Sequence, residues 1–166
     1  MYLEIYLKGN VTDILYSEIQ TDQYTSLEEM LLDAEVDELD VNVKIPSNVD
    51  VQNKIPSFCY TKDLIVTDYL FDWLNLSEEE QEIVFVYNRY VDNYCNDVEE
   101  ILEKYSGTWY SERDFTEEFI NDIYSQEITS LPSILQYAID YDLIARDLFL
   151  TDFIYVSEYN MVFRSY

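Results

Sequence analysis

Hydrophobic and polar positions alternate over the first residues, Leu3, Ile5 and Leu7 against Tyr2, Glu4 and Tyr6, until Gly9 closes the run. A period of two puts successive side chains on opposite faces of a strand. Val41, Val43 and Ile45 repeat the pattern against Asp40, Asn42 and Lys44 before Pro46, which has no N–H to give a ladder. Between the two runs Thr25-Ser26-Leu27-Glu28 has capping-box spacing, and Leu27, Met30, Leu31 and Ala34 return at helical intervals. Residues 1–62 therefore read as a small α+β module. Its last part, Val49 to Phe58, holds Lys54 and Pro56 and no clear period, and reads as a connection.

From Lys62 the period becomes helical, with Val66, Tyr69, Leu70, Trp73 and Leu74 on one face. Ser77-Glu78-Glu79-Glu80 predicts a second capping box, and Ile83, Val84, Tyr87, Tyr90, Val91 and Tyr94 continue that helix. Asn96-Asp97-Val98-Glu99 predicts a further start, followed by Ile101, Leu102 and Tyr105, with Gly107 where a C-terminal cap belongs. Residues 63–105 thus read as a small helical bundle. In 106–166, Phe115, Phe119, Ile120, Ile123 and Tyr124 fall at helical spacing, and Ser130 with Pro132 resembles another helix start. Two strands, 153–157 and 161–166, flank a Tyr159-Asn160 turn. The expected fold class is α+β, elongated, in three small modules: N-terminal α+β, central helical bundle, and C-terminal α+β with a terminal hairpin.

Composition removes whole classes of chemistry. The 166 residues contain no His, so an imidazole base, a Ser-His-Asp triad and a His-ligated zinc are excluded. Gly9 and Gly107 are the only glycines, too few for a phosphate-cradling loop. Cys59 and Cys95 lack CxxC spacing and read as structural thiols of a cytosolic protein. No apolar run approaches membrane-spanning length, and the first residues are too short a run for a signal peptide.

Charge changes the picture most. Against 35 Asp and Glu stand 9 Lys and Arg, a formal charge of -26. Direct nucleic-acid binding, which draws on Lys and Arg, is disfavoured, and so is an anionic membrane surface. Aromatic residues make up 16% and hydrophobic ones 48%, enough apolar surface to oppose chain entropy, so a folded protein is expected. The charge is not a tail: 1–62 holds 12 acids and 4 bases, 63–105 holds 12 and 2, and 106–166 holds 11 and 3, giving -8, -10 and -8. Self-repulsion opposes a compact state, so a negative field over the whole body points to selection for it. At one charge per ~1.7 Å of duplex, -26 matches ~44 Å of DNA. The field suits a protein that presents carboxylates where DNA presents phosphates.

Carboxylate pairs such as Glu99 with Glu100, Glu117 with Glu118, or Asp140 with Asp142 arise by chance among 35 acids, and nothing in the sequence marks one as a catalytic dyad. Asp37-Glu38-Leu39-Asp40 and Asp140-Tyr141-Asp142 lack the mid-loop glycine and twelfth-position Glu of an EF-hand. No cofactor, no metal and no catalysis are expected. Tyr87, Tyr90 and Tyr94 read as packing residues, while tyrosines among acids could meet arginines of a partner. Arg89, Arg113, Arg146 and Arg164 read as internal ion-pair partners.

Leu131-Pro132-Ser133-Ile134-Leu135-Gln136-Tyr137, then Ile139-Asp140-Tyr141 and Ala145-Arg146-Asp147-Leu148, resembles the C-terminal region of the ArdA family of antirestriction proteins. Tyr69 to Ile83, with Trp73 and the acidic restart at Ser77, is similar to the middle of that family more weakly. The resemblance implies an elongated, modular DNA mimic of phages or mobile elements. It would occupy the basic DNA-binding channel of a type I restriction-modification enzyme in the bacterial cytoplasm, as a homodimer joined near the C-terminal module. The mimicking surface is then expected at Asp72, Glu78, Glu79, Glu80, Glu82, Asp97, Glu99, Glu100, Glu117 and Glu118, and the dimer contact at Leu135, Tyr141, Leu143 and Leu148. An anti-CRISPR or other mimic aimed at another basic groove, and an acidic non-catalytic adaptor, are the alternatives.

Overall fold

The computed structural model describes residues 4–9, 18–20, 24–33, 41–45 and 54–166. The fold is α+β, divided into two compact units, Met1–Leu102 and Glu103–Tyr166. Asp37 to Asp40, Ala34 and residues 49–53 lie outside the described residues.

In the first unit β1 (Glu4–Gly9) is the middle strand of an antiparallel sheet, between β2 (Glu18–Gln20) and β3 (Val41–Lys44). Tyr6 pairs with Lys44 and Gly9 with Val41. Val43 and Ile45, two alternate positions of this run, are both buried. A boundary at 62/63 is not observed, because backbone bonds run across it: Ile45 N–H donates to the Leu64 carbonyl at 2.9 Å and Val66 N–H to that of Val43 at 2.8 Å. The 60s segment therefore turns back alongside β3. Leu64 takes a left-handed conformation (φ 60°) in that turn, which postpones the helix expected from Lys62 to α2 (Tyr69–Leu74).

Helix α1 (Leu27–Asp33) buries Met30 and Leu31. Its capping box lies one residue later than the spacing predicts: Ser26 Oγ accepts the Glu29 N–H at 3.1 Å, and the Glu29 carboxylate accepts the Thr25 N–H and hydroxyl at 2.8 and 2.7 Å. These bonds hold the Glu29 carboxyl below its ordinary range.

Helix α3 (Glu78–Tyr90) begins at the expected box, with both reciprocal bonds between Ser77 and Glu80. Every residue from Ile83 to Asn88 is buried, so the middle of α3 is covered all round, where the sequence suggests a single apolar face, while its ends, with Glu78, Glu79, Arg89 and Tyr90, are exposed. The helix stops at Tyr90, and Tyr94 stands 90% exposed beyond it. Gln81 fastens the α2–α3 join: its amide donates to the carbonyls of Leu74 and Leu76 at 3.1 Å each, and its own carbonyl accepts the Trp73 indole N–H at 3.1 Å. Next comes α4 (Val98–Lys104), which buries Ile101.

The second unit has strands β4 (Tyr105–Thr108), β5 (Phe153–Val156) and β6 (Met161–Arg164) in the antiparallel order β4-β6-β5. Between β4 and β5 come α5 (Glu112–Ser130), α6 (Ser133–Gln136) and α7 (Tyr141–Thr151). Tyr105 and Gly107 are thus strand residues, not a helix tail and its cap. Gly107 has φ +108° at an irregular step of the β4–β6 ladder, and a Cβ there would lie 2.9 Å from the Trp109 indole nitrogen. The hairpin matches the sequence reading, and its turn places Asn160 at φ 57°. Phe115 is the hub of the core, ring to ring with Phe153 at 4.7 Å, Phe119 at 5.4 Å, and Trp109 and Phe149 at 5.6 Å each.

Candidate functional site: the acidic surface

Side-chain acids concentrate at helix starts. Glu28 and Glu29, Asp72, Glu78 to Glu80, Glu99 and Glu100, Glu112 and Asp114, and Asp142 all lie in first turns. Unsatisfied N–H groups and the helix dipole make these the backbone positions that tolerate negative charge best.

Of the ten acids expected to form the surface, nine are exposed: Asp72, Glu78, Glu79, Glu82, Asp97, Glu99, Glu100, Glu117 and Glu118. Glu80 is half-buried, its carboxylate accepting the Ser77 hydroxyl at 2.7 Å and the Ser77 N–H at 2.9 Å. Those bonds hold it below the ordinary carboxyl range. Asp97 also has a structural task, accepting the N–H groups of Glu99 and Glu100 at 3.0 and 3.1 Å at the head of α4.

Asp72, Asp97 and Glu99 come together along one groove of the first unit, with Tyr69, Asn75 and Asn96. Glu117 and Glu118 line a groove of the second unit beside Trp109, Tyr110 and Asn121. Asp114 lines it too; sequence reasoning missed it, although its position three residues after Ser111 is the signal of the observed cap. The Tyr155 hydroxyl lies 2.9 to 3.1 Å from three acceptors for its one hydrogen, the carbonyls of the groove residues Trp109 and Tyr110 and Asn160 Oδ1. Burial, then the charges of Asp114 and Glu112, push its phenol up.

Neutralisation within the chain is limited by number: giving each of the 9 bases its own acid leaves 26 of 35 carboxylates without one. Exposed ion pairs join Arg113 to Asp142 at 2.6 Å and Arg146 to Asp147 at 3.2 Å, while the Arg89 guanidinium lies over the Tyr90 ring at 5.9 Å. By unit, 23 acids and 5 bases give -18 over 1–102, and 12 acids and 4 bases give -8 over 103–166. Among the described residues no group of three or more acid or cysteine side chains is arranged to hold a metal ion. Cys59 is a buried thiol outside any disulfide, and burial, with the Asp72 charge, pushes it up.

The residues expected at a dimer contact divide. Leu135 (51%) and Leu143 (48%) are exposed. Tyr141 is half-buried, its hydroxyl donating to Asn121 Oδ1 at 3.3 Å, and Leu148 packs on the Phe115 cluster, so neither presents an open apolar face. Sequence spacing missed Ile134 and Tyr137, which are 77% and 91% exposed. No helix among the described residues is long and apolar enough to cross a membrane. No family model matches the chain, and neither a curated protein nor a solved structure matches it.

Proposed function

We propose that the protein is a non-catalytic DNA mimic that inhibits a DNA-binding defence enzyme, a type I restriction-modification enzyme in the first instance, by occupying its basic channel in the bacterial cytoplasm. The supporting observation is the exposed carboxylate surface carried by both units, with a net -18 and -8. A basic channel built for phosphates meets in it a dense series of fixed charges, and opposite fields of this size speed encounter. The protein acts as a homodimer in this reading, joined through exposed apolar residues such as Leu135 and Leu143. Another nucleic-acid-binding target, a CRISPR effector for example, would be blocked by the same physics.

The test is inhibition of a purified type I enzyme at rising salt and rising duplex DNA. Mimicry requires affinity that falls steeply with salt and inhibitor displaced by DNA. A ternary complex of enzyme, specifically bound DNA and this protein would refute it. Changing Glu78, Glu79 and Glu82 together to Gln should weaken inhibition by degrees, since exposed ion pairs contribute only ~0 to 1 kcal/mol each. Complete loss from Asp72→Asn in a folded protein would point to a unique contact instead. A second reading, an acidic adaptor, is favoured by the exposed Ile134 and Tyr137, and predicts partner binding that salt barely changes.

A further inference from the structure

The groove of the second unit beside Trp109 has a volume of about 570 Å³ and two kinds of lining. On α5, Glu117, Glu118 and Asn121 stand three, four and seven residues after Asp114, which sets all four on one face of the helix. Trp109 and Tyr110, between β4 and α5, add two aromatic side chains, and Thr108 adds a hydroxyl. The Trp109 ring is fixed in place: its indole N–H donates to the Ser106 carbonyl at 3.1 Å, and Phe115 meets it edge to face at 5.6 Å. Tyr110, one residue on, stands 92% exposed. Its side chain and the carboxylates of Glu117 and Glu118 have no partner among the described residues. No lining residue is basic, and Arg113, the nearest base along the chain, is held by Asp142 at 2.6 Å.

We propose that this groove takes the guanidinium of an arginine side chain presented by a partner protein. Carboxylates alone would serve any cation; the aromatic pair is what selects a planar one. A guanidinium forks onto a carboxylate through two N–H groups and lays its face on an aromatic ring, whereas an ammonium is a strongly hydrated point charge that does neither as well. Because Tyr110, Glu117 and Glu118 are all exposed, a free small molecule would stay largely in water here. An arginine carried by a protein brings its own cover and arrives already positioned. The site rests on these lining residues and stands without the mimicry reading. If that reading holds, the arginine is one of the target's own. Arginine binding lost while salt-sensitive inhibition persists would then refute the site alone, and arginine binding kept without inhibition would refute the mimicry alone.

N-acetyl-arginine amide titrated into the full chain, followed by NMR, tests the site. The expected result is a saturable shift of the Trp109 indole N–H and of the Tyr110, Glu117 and Glu118 amides, while the indole N–H of Trp73, buried and bonded to the Gln81 carbonyl, stays where it is. Glu117→Gln with Glu118→Gln should weaken binding about 5- to 30-fold, and Tyr110→Ala about 2- to 5-fold. These side chains are exposed, so the variants keep the fold. Glu103→Gln with Glu127→Gln removes the same charge from exposed positions outside the groove and should leave binding unchanged. N-acetyl-lysine amide should bind several-fold more weakly, and the neutral citrulline analogue more weakly still. Absence of a saturable shift, equal binding by the groove variants, or equal weakening by the control pair overturns the proposal. So does lysine or citrulline binding as tightly as arginine, since the first would make the site a mere cation site and the second would remove the charge from it.

Discussion

Ser77 and Glu80 illustrate how single residues hold this protein. The Ser77 hydroxyl accepts the Glu80 N–H and donates to its carboxylate, so Ser77→Ala should lower unfolding free energy by about 1 kcal/mol, read by urea denaturation. Glu79→Gln, in the same turn, should change stability far less. The pH dependence follows from the sign of the shift. Glu80 lies below its ordinary value of 4.5 when folded, so its contribution is present above that value and is lost as pH falls through the folded one. The stability gap between the native chain and Glu80→Gln should therefore close below about pH 4.5; a gap unchanged from neutral pH into acid would show that the cap bonds do not depend on the charge. Gly107→Ala forces a side chain into positive φ and against Trp109, and should cost about 1–3 kcal/mol.

At the level of elements, sequence signals served best where local chemistry is decisive. The Ser77 box, the Asp97 cap and the 153–164 hairpin were legible because each is written in adjacent residues: hydroxyl or carboxylate at the cap, alternation around an Asn that accepts left-handed φ. Strand β4 was not legible. Tyr105-Ser106-Gly107-Thr108 has little strand propensity of its own and is extended because β6 pairs with it, fifty-odd residues later. The end of α3 was misplaced because tyrosines continue at helical spacing past the point where the N–H groups of Val91 and Asp92 both turn to the Tyr87 carbonyl. Of the acidic surface, exposure was legible from composition; grouping was not, since Asp72 meets Asp97 and Glu99 only through packing. Packing also sets the element-scale prediction. Phe115→Ala removes the ring about which four others gather and should cost about 3–5 kcal/mol, visible as loss of the near-ultraviolet signal of Trp109, whereas Ile134→Ala, at an exposed position, should be close to neutral.

For the whole molecule, repulsion among carboxylates is the term that solvent can adjust. From about 0.01 M to about 1 M salt the Debye length falls from ~30 Å to ~3 Å, so the urea midpoint should rise across that range; a flat or falling midpoint would mean that the charges are already compensated in the folded chain. Sedimentation over the same range checks the proposed homodimer, in which an apolar contact should strengthen as repulsion is screened, opposite in direction to the proposed target binding. A strict monomer at high protein concentration throughout would remove it. The two sheets also differ in the order in which their parts are made. In the first unit the middle strand, β1, precedes both neighbours, so each later strand finds its partner waiting. In the second unit the middle strand is β6, which follows both. At ~5–20 residues per second, the ribosome needs roughly 3–10 s to pass from β4 to β6. During that interval β4 lacks its ladder partner and the Phe115 cluster lacks Val162, so a nascent chain halted before Met161 leaves β4 and β5 without the strand that joins them.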